Sequence, residues 1–234
     1  MHVGGDSGII SRTITYVYKV AATDASNTTL RARVLQFAQE IFDDTWTVST
    51  GPWKRTRGTV SIADGAGVGD LPATFGQIGR DGKVLIATKA TDLSEEPWEA
   101  VAAQWEEGVQ GAIGRTTDPR WYSVYGFNTS TARRTIRIQP NSGAFTLAVH
   151  YDEIPPTLTD ADTVASNLVR IPVDYHFRVL LVGVRMMAMM DKGDARASFF
   201  ADMYESGKQW MLHREREGRD RRTKMPSALP YGQW

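Results

Sequence analysis

Paired carboxylates are the side chains in this sequence whose type and spacing could support a reaction. Two carboxyl groups that flank a glycosidic bond can serve as general acid and as base or nucleophile. We expect residues 94–108, which carry most of them, to form a helix capped by Ser94, with Pro97 tolerated in its first turn. Acidic side chains near a helix start interact favourably with its dipole, so we favour solvation or subunit contacts as their role. A carboxylate-based glycan hydrolase remains the alternative, using the acidic residues Asp92, Glu95, Glu96, Glu99, Glu106 and Glu107.

Other reaction centres are not encoded in a recognisable pattern. The chain has no cysteine, which excludes disulfides, thiolate catalysis and thiolate-bound metals. Its four histidines are scattered, and none has a metal-ligand spacing to a second one. The glycine run at residues 65–69 is followed by Asp70, Leu71 and Pro72, where a phosphate loop would begin a helix with Lys-Ser/Thr. The sequence therefore predicts no reaction, no cofactor and no metal.

A row of arginines alternates with aromatic residues in the middle of the chain. Such a row could bind single-stranded nucleic acid by stacking bases and neutralising phosphates. The 27 basic and 27 acidic residues cancel, however, and no overall field attracts nucleic acid or a membrane. We favour a solvated arginine row and keep a β-rich carbohydrate- or nucleic-acid-binding module as a further alternative. The residues concerned are Arg115, Arg120, Arg133, Arg134 and Arg137, with Trp121, Tyr122 and Tyr125.

The middle of the chain is predicted to be rich in strands. In the last of these, alternation places Phe145, Leu147 and Val149 on one buried face. Residues 141–143, Asn-Ser-Gly, predict a β-hairpin turn between the last two strands, with Gly143 able to adopt a positive φ. The strand then meets Pro155 and Pro156, which cannot extend a ladder. The predicted strands are residues 83–88, 121–127, 133–138 and 144–151.

Helices are predicted on both sides of this β-rich region. Residues 28–44 form an amphipathic helix, and residues 173–190 form a helix that is apolar nearly all round. Residues 191–194 turn the chain, and residues 195–216 return as an antiparallel helix. We expect that returning helix to direct Phe199, Met203 and Trp210 inward.

The two ends of the chain differ in composition from the rest. Residues 1–27 are rich in glycine, serine and threonine and predict an extended arm with a strand-like run at residues 14–20. They lack the basic region and apolar run of a signal peptide. Residues 218–234 are basic at first and then contain two prolines, so they predict an extended arm that cannot fold alone. Large apolar side chains at the end of this arm are typical of docking anchors. The predicted docking residues are Arg219, Arg221, Arg222, Lys224, Leu229, Tyr231 and Trp234.

An ordered series of short motifs covers residues 28–212. An early helix, T-L-R-A-R-V-L-Q-F-A-Q-E-I-F, is followed by L-P-A-T-F, K-V-L-I and S-E-E-P-W. Next come D-P-R-W-Y-S-V-Y-G and P-N-S-G-A-F-T-L-A-V-H-Y. The series ends with P-P-T-L-T-D-A-D-T, I-P-V-D-Y-H and the helical pair. Each motif is weak alone, but in their order and spacing they resemble the head-to-tail adaptor (connector) proteins of tailed bacteriophages.

The resemblance implies an α+β fold in which a small helical bundle carries an inserted antiparallel β-rich region and extended terminal arms. The implied divisions are an N-terminal arm (1–27), a first bundle helix (28–44), a β-rich insertion with one acidic helix (45–172), a helical hairpin (173–217) and a docking arm (218–234). The implied function is that of a structural virion protein, assembled in the host cytoplasm and located at the head–tail neck. Its implied partners are the portal protein, a tail or nozzle protein and other copies in a ring of twelve, with DNA passing through the lumen and no membrane involved.

Overall fold

The computed structural model describes residues 3, 8–21, 28–79, 82–89, 91–99, 116–139, 141–160 and 171–223, with the backbone alone for the last five. The chain divides into two compact units. The helical unit comprises Met1–Lys54 and Pro155–Trp234, and the β unit comprises Arg55–Ile154.

Within the described residues, the helical unit contains four helices and a short 3₁₀ turn, Pro52–Lys54. The third helix changes to π-helical hydrogen bonding in its first half and then returns to α. The helices are α1 (Ile9–Thr13, continued by the π-helical Ile14–Tyr18), α2 (Thr28–Val48), α3 (Val173–Tyr175, the π-helical His176–Leu181 and Val182–Lys192) and α4 (Ala197–Thr223).

The helix α1 replaces the extended arm that the sequence predicted. Ile10, Ile14 and Val17 are fully buried, and their spacing of four and three residues places them on one helical face. The hydroxyl group of Tyr18 donates to Asp191 at 3.1 Å, and burial together with this carboxylate raises the pKa of Tyr18 to about 12. The helix ends at Lys19, which adopts a left-handed φ of 59°. The prediction of a strand-like run was therefore wrong, because β-branched and aromatic residues also fit a short helix that is buried on one side.

The helices α3 and α4 form an antiparallel hairpin around a tight turn. Gly193 has a φ of 68°, and its N–H donates to the Met190 carbonyl at 3.0 Å. The Asp194 N–H donates to the Met189 carbonyl at 2.9 Å, which completes the helix end. Further along, a Cβ added at Gly207 would lie 2.4 Å from the carbonyl oxygen of Arg178. The two backbones therefore approach closely because position 207 has no side chain.

The β unit consists of eight strands within the described residues, arranged in the order β1-β8-β4-β5-β6-β7-β2, with β3 also paired to β8. The strand pairs are antiparallel except β5 with β6, which is parallel. A Cβ added at Gly69 on β2 would lie 2.5 Å from Val60 Cγ1 on β1, so the two ends of the strand order lie side by side and the sheet nearly closes. The strands are β1 (Arg55–Ile62), β2 (Val68–Asp70), β3 (Phe75–Gln77), β4 (Val84–Ile86), β5 (Thr91–Glu95), β6 (Trp121–Asn128), β7 (Arg133–Ile138) and β8 (Phe145–Glu153).

The predicted fold class was wrong. The described residues form a mixed α/β fold with a large, nearly closed sheet and four helices, rather than a small helical bundle with an inserted antiparallel β-rich region. One strand pair is parallel, with Ser94 opposite Trp121 and Glu95 opposite Tyr122. The strands β1, β2 and β3 were not predicted from the sequence, because β1 carries arginines and a glycine and the other two are only three residues long.

Two further predictions within the β unit need correction. The last two strands are present as predicted, but they do not form a hairpin: β7 pairs with β6 and β2, and β8 pairs with β1, β4 and β3. Ser94 and Glu95, which were expected to start the acidic helix, belong to β5, and a helical turn begins only at Trp98. The remainder of the predicted helix, residues 100–108, lies outside the described residues. Leu147 and Val149 are fully buried as predicted, and Gly143 has a φ of 94°.

Asn141 holds the corner between β7 and β8. Its side-chain oxygen accepts from the Gly67 N–H at 2.9 Å, and its amide nitrogen donates to the Ala63 carbonyl at 3.0 Å and to the Gly143 carbonyl at 2.6 Å. The residue is fully buried. The corner is therefore fastened to the loop between β1 and β2, and the chain leaves β7 without pairing to it again.

Candidate functional site

The end of α4 is fixed to the end of α2 by a single carboxylate, that of Glu215. It accepts hydrogen bonds from the Ser49 hydroxyl group at 2.7 Å, from the Thr50 N–H at 2.8 Å and from the Trp53 indole N–H at 3.0 Å. Three donors on one short segment bind the same side chain, and charge-assisted hydrogen bonds are stronger than neutral ones. We call this group, Ser49, Thr50, Trp53 and Glu215, the Glu215 clamp.

A second set of contacts holds α4 against α3 beside the clamp. The Trp210 ring lies edge-on to Tyr175, at 5.8 Å between centroids, and the Arg178 guanidinium lies 4.5 Å from its centre. Arg214 hydrogen-bonds to Asp174 on α3. Burial and the nearby charge of Glu215 raise the pKa of Tyr175 to about 12. The last part of α4 is thus anchored on two helices.

The predicted docking residues start on this anchored helix. Helical backbone continues to Thr223, so Arg219, Arg221 and Arg222 lie in the last turns of α4. The predicted start of an extended arm at Gly218 was therefore wrong. The other docking residues, Lys224, Leu229, Tyr231 and Trp234, lie outside the described residues.

The helical unit exposes large apolar side chains that the sequence placed inside. Phe199 is 61% exposed and Met203 is 41% exposed, whereas Phe200, Tyr204 and Met211 are buried. Both sets share the same helical spacing, so the sequence offered two parallel stripes. The prediction was therefore wrong for Phe199 and Met203, whereas Trp210 packs against the helical core as predicted. The missed signal is Gly207, which falls on the buried stripe and marks the side where α3 approaches.

Three of the predicted carboxylates, Glu95, Glu96 and Glu99, line a shallow cavity of about 550 Å³ in the β unit. All three are exposed. A general acid for glycoside hydrolysis needs a shielded carboxyl group, and these are open to water. Glu95 accepts a weak hydrogen bond from the buried Tyr122 hydroxyl group at 3.5 Å. Burial, reinforced by Glu95, raises the pKa of Tyr122, so that the phenol stays protonated. The other two predicted carboxylates of the helix, Glu106 and Glu107, lie outside the described residues.

The aromatic residues of the arginine row are only partly accessible. Trp121 and Tyr122 are buried, so neither offers a face for stacking a base. Tyr125 is stacked on Trp98, with ring centroids 4.4 Å apart and planes 7° apart, and the Arg137 guanidinium lies 4.5 Å from the Trp98 centre. Arg133 and Arg134 are exposed, as a solvated row requires. Arg115 lies outside the described residues.

The side chains that could bind metals do not come together in the part of the chain that the structure describes. No group of three or more histidines, cysteines or carboxylates there has the arrangement of a metal site. His176 is buried, with its Nε2 atom 2.9 Å from the Ile171 carbonyl oxygen, and His213 is exposed beside Glu217. Among the described residues, no helix has both the length and the apolar character needed to cross a membrane.

A comparison with protein families gives a match that extends over nearly the whole chain. No curated protein matches this sequence. The family model described as SU10 adaptor protein matches residues 8–228, which include both units and the anchored end of α4. This family consists of structural adaptors of phages. The chain belongs to the SU10 adaptor protein family.

Proposed function

We propose that the protein is a ring-forming head–tail adaptor, which joins the portal of the phage head to the tail and continues the DNA channel between them. Copies of the chain, twelve in our proposal, surround a lumen through which DNA passes without specific binding. The chain assembles in the host cytoplasm and performs no reaction. The observation that carries the proposal is the family match over residues 8–228.

Two features of the chain support this role. The formal net charge is zero, with 27 basic and 27 acidic residues, which is suited to a lumen that must not grip phosphates. The helical unit also leaves large apolar side chains exposed, as a subunit of an assembly does before it meets its neighbours.

We further propose that the chain after α4 is the portal-docking arm, with Arg219, Arg221, Arg222, Lys224, Leu229, Tyr231 and Trp234 as its contact residues. The Glu215 clamp supports this part of the proposal, because it gives the arm a rigid base. Burying one of the large apolar anchors stabilises a contact by roughly 1.5–3 kcal/mol before ordering costs. Repetition around a ring then raises the avidity through effective concentration.

Deletion of residues 225–234 tests the arm. The sequence of this segment has prolines at 226 and 230, which are unfavourable in helices and sheets, so we expect the deletion to leave the melting temperature nearly unchanged. Capture of the chain by purified portal rings should be lost. A matched full-length variant, Leu229→Ser with Tyr231→Ser and Trp234→Ser, should reproduce the loss if the apolar anchors are responsible.

The salt dependence of portal binding distinguishes the contribution of the basic residues of the arm from that of its apolar anchors. Neutralising Arg219, Arg221, Arg222 and Lys224 should mainly slow docking and reduce its sensitivity to salt. If the truncated chain is captured by portal as well as the full chain, the arm is not the docking element. If neither form is captured, and the chain is missing from the virion neck, the adaptor role itself is wrong.

A further inference from the structure

One exposed apolar patch of the helical unit lies on α4 near the hairpin turn. Phe199 and Met203 are 61% and 41% exposed and are one helical turn apart. Asp202 and Glu205, on the same stretch of helix, are also exposed. We call Phe199, Asp202, Met203 and Glu205 the acidic patch. The cations next to this patch are paired: Arg196 with Asp194 at 2.7 Å, and Lys208 with both Asp44 and Glu205 at 3.1 Å. Because Lys208 is shared by two carboxylates and Asp202 adds a third, the patch keeps a net negative charge.

A second exposed apolar patch lies at the start of α3 and has the opposite charge. Val173 is 62% exposed and Phe177 is 47% exposed. The Arg12 guanidinium lies 5.5 Å from the centre of the Phe177 ring, and the exposed Arg178 follows in the chain. We call Arg12, Val173, Phe177 and Arg178 the basic patch. The one acidic residue beside it in the chain, Asp174, is paired with Arg214.

The two patches are separate on one copy of the chain. Gly207 lies level with Arg178, since a Cβ at position 207 would touch the Arg178 carbonyl oxygen. Phe199 lies eight residues from Gly207 towards the hairpin turn, which is roughly 12 Å along the helix at 1.5 Å per residue. The acidic patch therefore cannot be covered by the basic patch of its own chain.

We propose that the acidic patch of one copy packs against the basic patch of the next copy, so that the two patches form the repeating contact of the ring. The proposal rests on the ring-forming function proposed above. Apolar surfaces of similar size meet, with carboxylates facing guanidinium groups. A contact of either patch with itself would oppose like charges, which is unfavourable. Two different patches on each copy make a head-to-tail contact, which produces a closed ring when the rotation between neighbours closes.

Cysteine cross-linking in assembled virions tests the contact directly, because the natural chain has no cysteine. We would assemble virions with the double variant Met203→Cys with Phe177→Cys, add a short bifunctional maleimide and separate the products on a denaturing gel. A head-to-tail contact predicts a ladder of dimers, trimers and larger species. Each single variant should stay monomeric, and so should the control Ala32→Cys with Phe177→Cys, whose first position lies on the exposed face of α2.

Several outcomes would overturn the proposal. Dimers from either single variant would show that a patch meets its own copy across a two-fold axis. A double variant that enters virions yet stays monomeric would show that the patches do not meet. Cross-linking of the Met203→Cys chain to another virion protein would show that this protein covers the acidic patch. Absence of the wild-type chain from the neck would overturn the adaptor function, and this contact with it.

Charge reversal tests the same contact without new chemistry. Asp202→Arg and Arg12→Asp, each alone, should reduce incorporation of the chain into virions by about tenfold or more, since each places like charges across the contact. The double variant restores opposite charges at every contact and should recover most of the loss. Equal melting temperatures of all four chains exclude a folding defect. If the double variant shows only the sum of the two losses, Asp202 and Arg12 do not face each other and the proposal fails.

Discussion

The helical unit and the β unit complete their surfaces in different ways. Among the described residues, the large apolar side chains left exposed in the helical unit are Val20, Val173, Phe177, Met190, Phe199 and Met203, whereas those in the β unit are Tyr125, Phe127 and Ile154. The β unit instead satisfies its corners internally, through buried Asn141 and through Asp70, which accepts from Asn128 and Thr131. The β unit thus satisfies its buried polar groups within the chain, whereas the helical unit leaves more large apolar side chains exposed, and the ring contact proposed above would cover four of them.

The largest expected effect comes from the two adjacent phenylalanines of α4. Phe200→Ala should lower the free energy of unfolding by about 3–5 kcal/mol, because Phe200 is buried against Tyr16 and Phe199. Phe199→Ala should change it by less than about 0.5 kcal/mol, as an exposed position does, while still reducing incorporation into virions. Chemical denaturation and virion composition measure the two effects. A large loss of stability from Phe199→Ala would remove the contrast between the units.

A smaller effect is expected in the β unit at its fastened corner. Asn141→Ala should destabilise the chain by about 1–3 kcal/mol, because it leaves the buried N–H of Gly67 without its acceptor. The control is Ser142→Ala at the exposed neighbouring position, which should stay within about 0.5 kcal/mol. Assembly should be affected only as far as folding is. A selective assembly defect in Asn141→Ala would mean that the corner contacts another chain.

The smallest effect concerns pH. Hydrogen bonds from Asn128 and Thr131 lower the pKa of Asp70 below its usual 3.8. A carboxyl group with a lowered pKa in the folded state stabilises that state above about pH 3.8, and the contribution is lost as the pH falls through the folded-state value. The melting temperature of Asp70→Asn should thus lie below that of the parent at pH 7, and the gap should narrow below pH 3.8. Thr131→Val, which removes one donor, should leave the Asp70 pKa less lowered, so that its acid-induced loss of stability is smaller and is complete at a higher pH than in the parent. Parallel profiles for all three chains would contradict this account.

The sequence predicted individual elements better than their partners. Local spacing located α2, β7 and the α3–α4 turn, because capping, alternation and the position of Gly193 are written in neighbouring residues. Strand pairing was not predictable in the same way. Alternation in β8 shows which side chains share a face, but not that β1 and β4 lie beside it. The nearly closed sheet and the parallel β5–β6 pair therefore emerge only from the structure.

The residues of the proposed contacts were also only partly predictable from the sequence. Charge and apolar content predicted docking residues after Gly218, although the helix continues further than composition suggested. The acidic patch escaped sequence analysis, because Phe199 and Phe200 are adjacent and chemically identical. Only the close approach of α3 at Gly207 decides which of the two is exposed. Which face of a helix is buried depends on the element that packs against it, and that element can be distant in the sequence.

The Glu215 clamp has a mechanical consequence. A helix pulled from its C-terminal end unravels one hydrogen bond at a time, because each turn is loaded in sequence. In α4 this unravelling reaches Glu215 two turns before Thr223. There the hydrogen bonds from Ser49, Thr50 and Trp53 to the Glu215 carboxylate must break together before it can continue. Tension applied to the chain beyond residue 223 is then transmitted to the end of α2 as shear across several hydrogen bonds. Under such tension we expect the last two turns of α4 to unfold first, while the helix before Glu215 stays attached to the end of α2.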